Sequence, residues 1–402
     1  MGRKRNFAPS SHLKNVTYEI RGPIDKRAQE LEKQGKEIVK LNIGNPALFG
    51  FKAPETMIQA VMENLSQCSG YSVSRGIFPA REAIVMEAQN KGIPNVHVDD
   101  VFLGNGVSEL IMMGMEALLE EGDQVLLPAP DYPLWSAAVV INKAVPIYYD
   151  CLKGDPDVAE LEKLLTDKTR AIVLINPNNP MGAVYSEETI KKIAAFAEKN
   201  QLIVFSDEIY DRILYAGAVH TPIAKHCKQT LCVTLNGLSK VYRAAGLRVG
   251  WAVFSGDKSD AKNYLQAMEL LCSMRLCSNV PGQWAVQTAL GGKQSIYDLT
   301  ADSGRLGKQR NTLNALISGS HFLSHIEPKG AMYGFIRVNN IPKFNDRKFA
   351  MQLLEEKNVL VVPGSSFHVQ DPNYFRVTFL PDSETLTDVF ARIESLLSNL
   401  KT

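Results

Sequence analysis

A serine–lysine pair, Ser239-Lys240, closes an apolar run within Asn236 to Gly250, and an arginine, Arg248, follows eight positions after the lysine. A lysine amine can hold an aldehyde cofactor as a Schiff base, and a guanidinium can clamp a phosphate with a planar fork that an ammonium lacks. Alone, the segment reads equally well as a solvated turn with ordinary basic residues. Other segments carry matching chemistry. Asp207 and Tyr210 follow the apolar run Leu202 to Phe205, so a carboxylate stands at a strand end where it could hold a proton on a heterocyclic nitrogen. Asn179 lies in the turn-rich Asn176 to Gly182 after Ile175, where a side-chain amide can bond a ligand oxygen. Gly104-Asn105-Gly106-Val107-Ser108 opens a helix, whose free N–H groups and positive dipole end favour a phosphate. Tyr132, in Ala129 to Pro133, offers an aromatic face that could stack on a ring. Each has an ordinary reading as a cap, a turn or a core aromatic; their joint occurrence in this order points to a site.

Such residues need strands to bring them to one edge. Val125 to Leu127, Ala171 to Ile175, Leu202 to Phe205, Leu231 to Leu235 and Val249 to Phe254 read as buried strands. Between them, Leu110, Met113, Ala117 and Leu118 share a helical face, and Glu187 to Glu198 forms an amphipathic helix opened by Ser186 as N-cap. This alternation predicts an α/β fold with a mostly parallel central sheet, whose ligands gather at the carboxyl ends of the strands. The last third differs. Gly330 to Val338, Val359 to Val362 and Tyr374 to Thr378 read as strands around a helix near Phe349 to Glu356, a smaller α+β unit. The extended run Ile38 to Ile43 is expected to return to that unit or bridge the two, leaving a cleft between them. The expected division is an N-terminal arm and part of the small domain at 1–46, a large domain at 47–300 and a C-terminal small domain at 301–402.

Composition narrows the classes. The 402 residues are 45% hydrophobic and 22% charged, enough for a large core. A formal net charge of +1 gives no global reason to expect nucleic acid or a membrane surface as partner. No apolar run is long enough to span a bilayer, and Arg3, Lys4 and Arg5 read as a solvated tail rather than a signal. Six scattered cysteines without a Cys-x-x-Cys pair fit free thiols in the cytoplasm. His220, His226, Cys227 and Cys232 match no common zinc spacing, so no metal is expected.

From about Leu41 to Thr378 the chain resembles the fold-type I, class I aminotransferases, which use pyridoxal 5'-phosphate. The likeness is strongest to bacterial glutamate-pyruvate (alanine) aminotransferases. It is carried by Leu-Asn-Ile-Gly-Asn-Pro (41–46), Gly-Asn-Gly-Val-Ser-Glu-Leu-Ile (104–111), Ala-Pro-Asp-Tyr-Pro-Leu-Trp (129–135) and Ser-Met-Arg-Leu-Cys (273–277). The resemblance implies that Lys240 holds the cofactor and acts as catalytic base. It implies that Asp207 pairs with the ring nitrogen, that Asn179 and Tyr210 bond the phenolic oxygen, and that Tyr132 stacks on the ring. The phosphate would rest on Gly106, Val107 and Ser108 with Arg248, assisted by Ser239. Tyr71 matches the tyrosine that reaches a neighbouring subunit's phosphate, which implies a homodimer. Arg376 matches the arginine that binds the substrate α-carboxylate, and Gly44 lies in the matching substrate loop.

The implied reaction is amino transfer between L-alanine or L-glutamate and the 2-oxo acids pyruvate and 2-oxoglutarate, by a ping-pong cycle. A different amino donor, or a lyase on the same fold, would use the same cofactor residues. The aspartate branch places an arginine where this chain has Met274, so Arg275, one step along, is the expected partner for the glutamate side-chain carboxylate.

Overall fold

The computed structural model describes residues 7–16, 18, 20 and 22–401; the basic Arg3, Lys4 and Arg5 lie outside the described residues. A short strand, β1 (Val39–Lys40), precedes seven strands: β2 (Val101–Gly104), β3 (Gln124–Ala129), β4 (Val145–Asp150), β5 (Thr169–Ile175), β6 (Ile203–Asp207), β7 (Leu231–Gly237) and β8 (Gly250–Gly256). Those seven form one sheet in the order β2-β8-β7-β6-β5-β3-β4. β3 to β7 run parallel, and β8 is antiparallel to both its neighbours. Every residue of β7 is buried, as expected of a strand covered on both faces.

One face of this sheet packs on the helices Val107–Leu118, Leu134–Ile141 and Lys262–Met274 through Leu110, Trp135, Phe205, Phe254 and Met268. The other face belongs to a larger core that includes Leu126, Ile172 and Ile193 and continues into the second unit through Phe335, Phe349 and Phe375. That unit holds β9 (Leu323–His325), β10 (Tyr333–Val338), β11 (Val359–Leu360), β12 (Val362–Pro363) and β13 (Tyr374–Thr378). Its antiparallel sheet runs β12-β13-β10-β9, while β11 pairs in parallel with β1. The extended run at Ile38 to Ile43 thus returns to the smaller unit, and the chain leaving it delivers Asn42 and Gly44 to the cleft.

The expected helix at Glu187 forms over Glu187–Lys199, with the Ser186 hydroxyl accepting from the Thr189 N–H at 3.2 Å as N-cap. Four of the five strands expected in the central sheet run two residues further than expected, and the fifth, β5, ends at Ile175 as expected. β6 continues through Asp207, which pairs in register with Leu235, so this carboxylate is held by the sheet itself and not by a loop. β4 escaped the apolar-run reading because it is a partly exposed edge strand whose apolar residues are interrupted by Pro146. Among the described residues no helix is long and apolar enough to cross a membrane, and no cluster of three or more His, Cys, Asp or Glu could hold a metal.

Candidate active site

A cavity of about 660 Å³ opens at the carboxyl ends of β5, β6 and β7, facing the smaller unit. Of the residues singled out from sequence, Gly44, Val107, Ser108, Tyr132, Asn179, Asp207, Tyr210, Ser239, Lys240, Arg248 and Arg376 all line it. Gly106 lies one residue behind the wall, as the N-cap of the helix Val107–Leu118. Tyr71 stays outside its own chain's cavity, with 80% of its surface exposed.

At the floor, Asp207 is buried with no cation in hydrogen-bonding contact. The Trp135 indole N–H donates to Oδ2 at 3.3 Å, and the Ile209 backbone N–H donates to Oδ1 at 3.3 Å. Burial pushes this carboxyl up to about 6, against the lowering pull of those two donors and of Lys240. Sequence reading quoted Trp135 only as part of a motif. Its backbone N–H donates to the Tyr132 carbonyl at 3.0 Å in the turn that opens the helix Leu134–Ile141, and this three-residue spacing is the signal in the sequence that ties the two rings together.

Lys240 follows the end of β7, and its Nζ donates to the Gly44 carbonyl at 2.6 Å. Beside it the Tyr210 and Tyr333 hydroxyls lie 3.0 Å apart. Burial raises Tyr333, yet the charges of Lys240 and Arg376 outweigh it and leave this phenol below its ordinary range, while burial and Tyr333 push Tyr210 up. Tyr333 had no local signal, because it stands in β10 and enters through tertiary packing. Gly44 matters there: a Cβ at this position would fall 2.1 Å from the Tyr333 hydroxyl.

Arg376 is 1% exposed, inside β13. Its Nη1 donates to Asn179 Oδ1 at 3.0 Å, Nη2 donates to the Asn42 carbonyl, and Nε has no hydrogen-bond partner. Its guanidinium packs 4.4 Å from the Tyr333 ring and 4.8 Å from the Phe367 ring. The register explains the first contact, since Tyr333 opposes Thr378 two residues along β13, a same-face diagonal neighbour of Arg376. No carboxylate among the described residues pairs with this buried cation, and burial draws the guanidinium down.

At the opposite end, Arg248 is exposed and donates through Nη1 to the Ala245 carbonyl and through Nη2 to the Asn105 carbonyl, each at 3.0 Å. Gly106, at φ +84°, turns the chain so that the N–H groups of the first helical turn open toward the cavity. Above the site, the Tyr132 hydroxyl meets that of Tyr18, from the N-terminal segment, at 3.1 Å.

Arg275 is a correction. It does not line the cavity; Nη2 donates to the Leu103 carbonyl at 2.6 Å, and Nε lies 3.3 Å from Glu109 Oε2. The residue closes the helix Lys262–Met274, which points its side chain at the sheet rather than at the ligand space.

A family profile described as aminotransferase class I and II matches residues 36–393, and the chain belongs to that family, whose members work with pyridoxal 5'-phosphate. The chain is 47% identical over 403 residues to a glutamate-pyruvate aminotransferase AlaA of Haemophilus influenzae, a match covering 99% of this chain and 100% of the relative. It is 45% identical over 403 residues to an alanine aminotransferase of Mycobacterium tuberculosis, covering 98% of this chain and 94% of that one. A crystal structure of an aminotransferase from Escherichia coli superposes with a TM-score of 0.97 at 44% identity, covering 99% and 100% of the two chains.

Proposed function

We propose that this aminotransferase moves the amino group of L-alanine to 2-oxoglutarate, giving pyruvate and L-glutamate, in two half-reactions at one site. The observation that carries the reading is Arg376, a buried guanidinium without a carboxylate partner among the described residues, set in the same cavity as the Lys240 amine. An α-carboxylate supplies the missing partner and brings Cα beside a base. The names of the relatives support the choice of alanine and glutamate.

The residues present fit pyridoxal 5'-phosphate: a cavity-facing amine, a buried carboxylate, an aromatic wall and a helix N-terminus entered through Gly106. When bound, the cofactor supplies an aldehyde that takes the amino group and a ring that accepts the electron pair left as Cα loses its proton. Lys240 would hold the cofactor's aldehyde carbon, and its amine would carry the proton from and to Cα as general base and acid. Asp207, aimed by Trp135 and the Ile209 N–H, keeps a proton on the ring nitrogen. Asn179 has given its Oδ1 to Arg376, which leaves its Nδ2 donors, with the Tyr210 hydroxyl, for the ring's phenolic oxygen. Tyr132 packs on the ring face. The N–H groups of Val107 and Ser108, the hydroxyls of Ser108 and Ser239, and Arg248 take the phosphate, with Gly106 shaping the turn while its own N–H donates to the Gly104 carbonyl at 2.8 Å. Arg376 would fix the substrate by its α-carboxylate, which would favour deprotonation at Cα over loss of that carboxylate.

Tyr71 serves a second copy's phosphate in a homodimer. Its exposure supports this, as do exposed Leu270 and Met274 on the helix whose Glu269 accepts from the Ser74 hydroxyl at 2.7 Å. Residues 47–300 form the cofactor-binding domain, with 1–46 and 301–402 contributing arm and small domain. The six free cysteines support a cytoplasmic setting.

The test is the visible spectrum of the reconstituted protein before L-alanine, after L-alanine, and after 2-oxoglutarate. Conversion by alanine and reversal by 2-oxoglutarate are expected. A bound cofactor that ignores alanine yet responds to another amino acid would overturn the alanine assignment.

A further inference from the structure

Glu109 stands in the first turn of the helix Val107–Leu118, the turn that the proposed function gives to a phosphate. A carboxylate suits a helix N-terminus but repels a second anion there. Its presence is explained by what it holds. Glu109 accepts from the Asn105 backbone N–H at 2.7 Å and from Asn105 Nδ2 at 3.0 Å. Asn105 in turn gives its carbonyl to Arg248 Nη2 at 3.0 Å and its Oδ1 to the Asn279 N–H at 2.8 Å, and Asn279 Nδ2 reaches the Leu247 carbonyl at 2.6 Å. Glu109 thus holds both the backbone and the side chain of the residue whose carbonyl takes the cavity-lining arginine, alongside the Ala245 and Asn279 contacts.

Among the described residues, the cation paired with Glu109 is Arg275, whose Nε lies 3.3 Å from Oε2. The same guanidinium donates to the Leu103 carbonyl at 2.6 Å, at the end of β2, and touches the Ser74 carbonyl at 3.5 Å. We propose that Arg275 is a positioning residue for the cofactor phosphate: it neutralises Glu109, so that Glu109 can pin Asn105, and through it Arg248, without repelling the phosphate. This rests on the reading that the Gly106 to Ser108 turn takes that phosphate.

The experiment compares dissociation constants of the cofactor-free protein for pyridoxal 5'-phosphate and for pyridoxal, which lacks the phosphate, with inorganic phosphate as competitor. Arg275→Gln is expected to weaken pyridoxal 5'-phosphate and inorganic phosphate by about tenfold while leaving pyridoxal unchanged. Adding Glu109→Gln to that variant should restore binding to within about threefold of wild type, because removing the repelling charge replaces the lost neutraliser. Should Arg275→Gln fail to fold, Arg275→Lys carries the test: it keeps a positive charge beside Glu109, so phosphate affinity is expected to hold within about threefold, and a tenfold loss would overturn the proposal. Equal weakening of both cofactor forms, without rescue by Glu109→Gln, would reduce Arg275 to a structural strut. An unchanged cofactor affinity with a raised KM for glutamate would return Arg275 to the substrate. Failure of the underlying reading is visible separately, as wild-type protein binding pyridoxal 5'-phosphate no more tightly than pyridoxal.

Discussion

The two ends of the cavity bind anions by opposite means. At the phosphate end, Arg248 is exposed, its guanidinium is parked on two backbone carbonyls, and the remaining donors are N–H groups of one helical turn. At the substrate end, Arg376 is buried between two aromatic rings and bonded to Asn179 and Asn42, which come from segments far apart in the chain. A phosphate that stays in place can be met by backbone donors and a guanidinium in contact with water. A small carboxylate that enters and leaves in each half-reaction must be gripped in one orientation, so its cation is desolvated and fixed before it arrives. One end anchors and the other sets geometry.

The sharpest way to break this contrast is Arg376→Ala. Loss of a buried bidentate partner is expected to lower kcat/KM for alanine by about 10³-fold. The dissociation constant of pyridoxal 5'-phosphate should stay within a few-fold of wild type, read by titration of the cofactor-free protein. A comparable loss of cofactor affinity would mean that the two ends are one structural unit. Gly106→Ala is the converse. It forces a non-glycine residue to φ +84° and places a Cβ 2.2 Å from Arg248 Nη2, so both the turn and the arginine must move. Cofactor affinity should fall by about 10²-fold, while KM for alanine at saturating cofactor holds.

The same contrast decides what could be read from sequence. The phosphate end is a contiguous pattern, Gly104 to Ser108, and its glycine and helix-start signals survive in one dimension. The strand-end residues Asp207 and Lys240 were legible for a similar reason, since an apolar run followed by a polar residue marks a strand's carboxyl edge. The substrate end was not. Arg376 rests on a resemblance, Asn42 is legible only as a member of the 41–46 motif, and Tyr333 carries no local signal, because the three meet only through pairing of β10 with β13 and the return of β1 to β11. Arg275 failed for the matching reason: adjacency in the chain suggested a substrate contact, but a helix end rotates consecutive side chains by about 100°, and this one faces Glu109.

Asp207 lies between the ends and sharpens the comparison by charge sign. Like Arg376 it is a buried ionisable group without a charged hydrogen-bond partner among the described residues, but its environment raises its pKa to about 6 against an ordinary 3.8. Folding therefore favours its protonated form. The stability it contributes is full below about pH 4 and is lost as pH rises through 6, because above that value the folded state must hold a desolvated carboxylate. Replacing it by asparagine removes the charge and keeps one oxygen, which can accept from either the Trp135 or the Ile209 donor but not both, a loss of about 1 kcal/mol set against the larger relief of the buried charge. Cofactor-free Asp207→Asn should be more stable than cofactor-free wild type by about 2 kcal/mol at pH 8, with the gap closing as pH falls from 7 to 4. Chemical denaturation at three pH values measures it. Cofactor should reverse the order, since the proton on the ring nitrogen gives the wild-type carboxylate the cation it lacks and gives asparagine nothing comparable. A gap that did not depend on pH would show that Asp207 is already ionised without strain in the empty fold, and that the substrate end alone stores an unpaired charge.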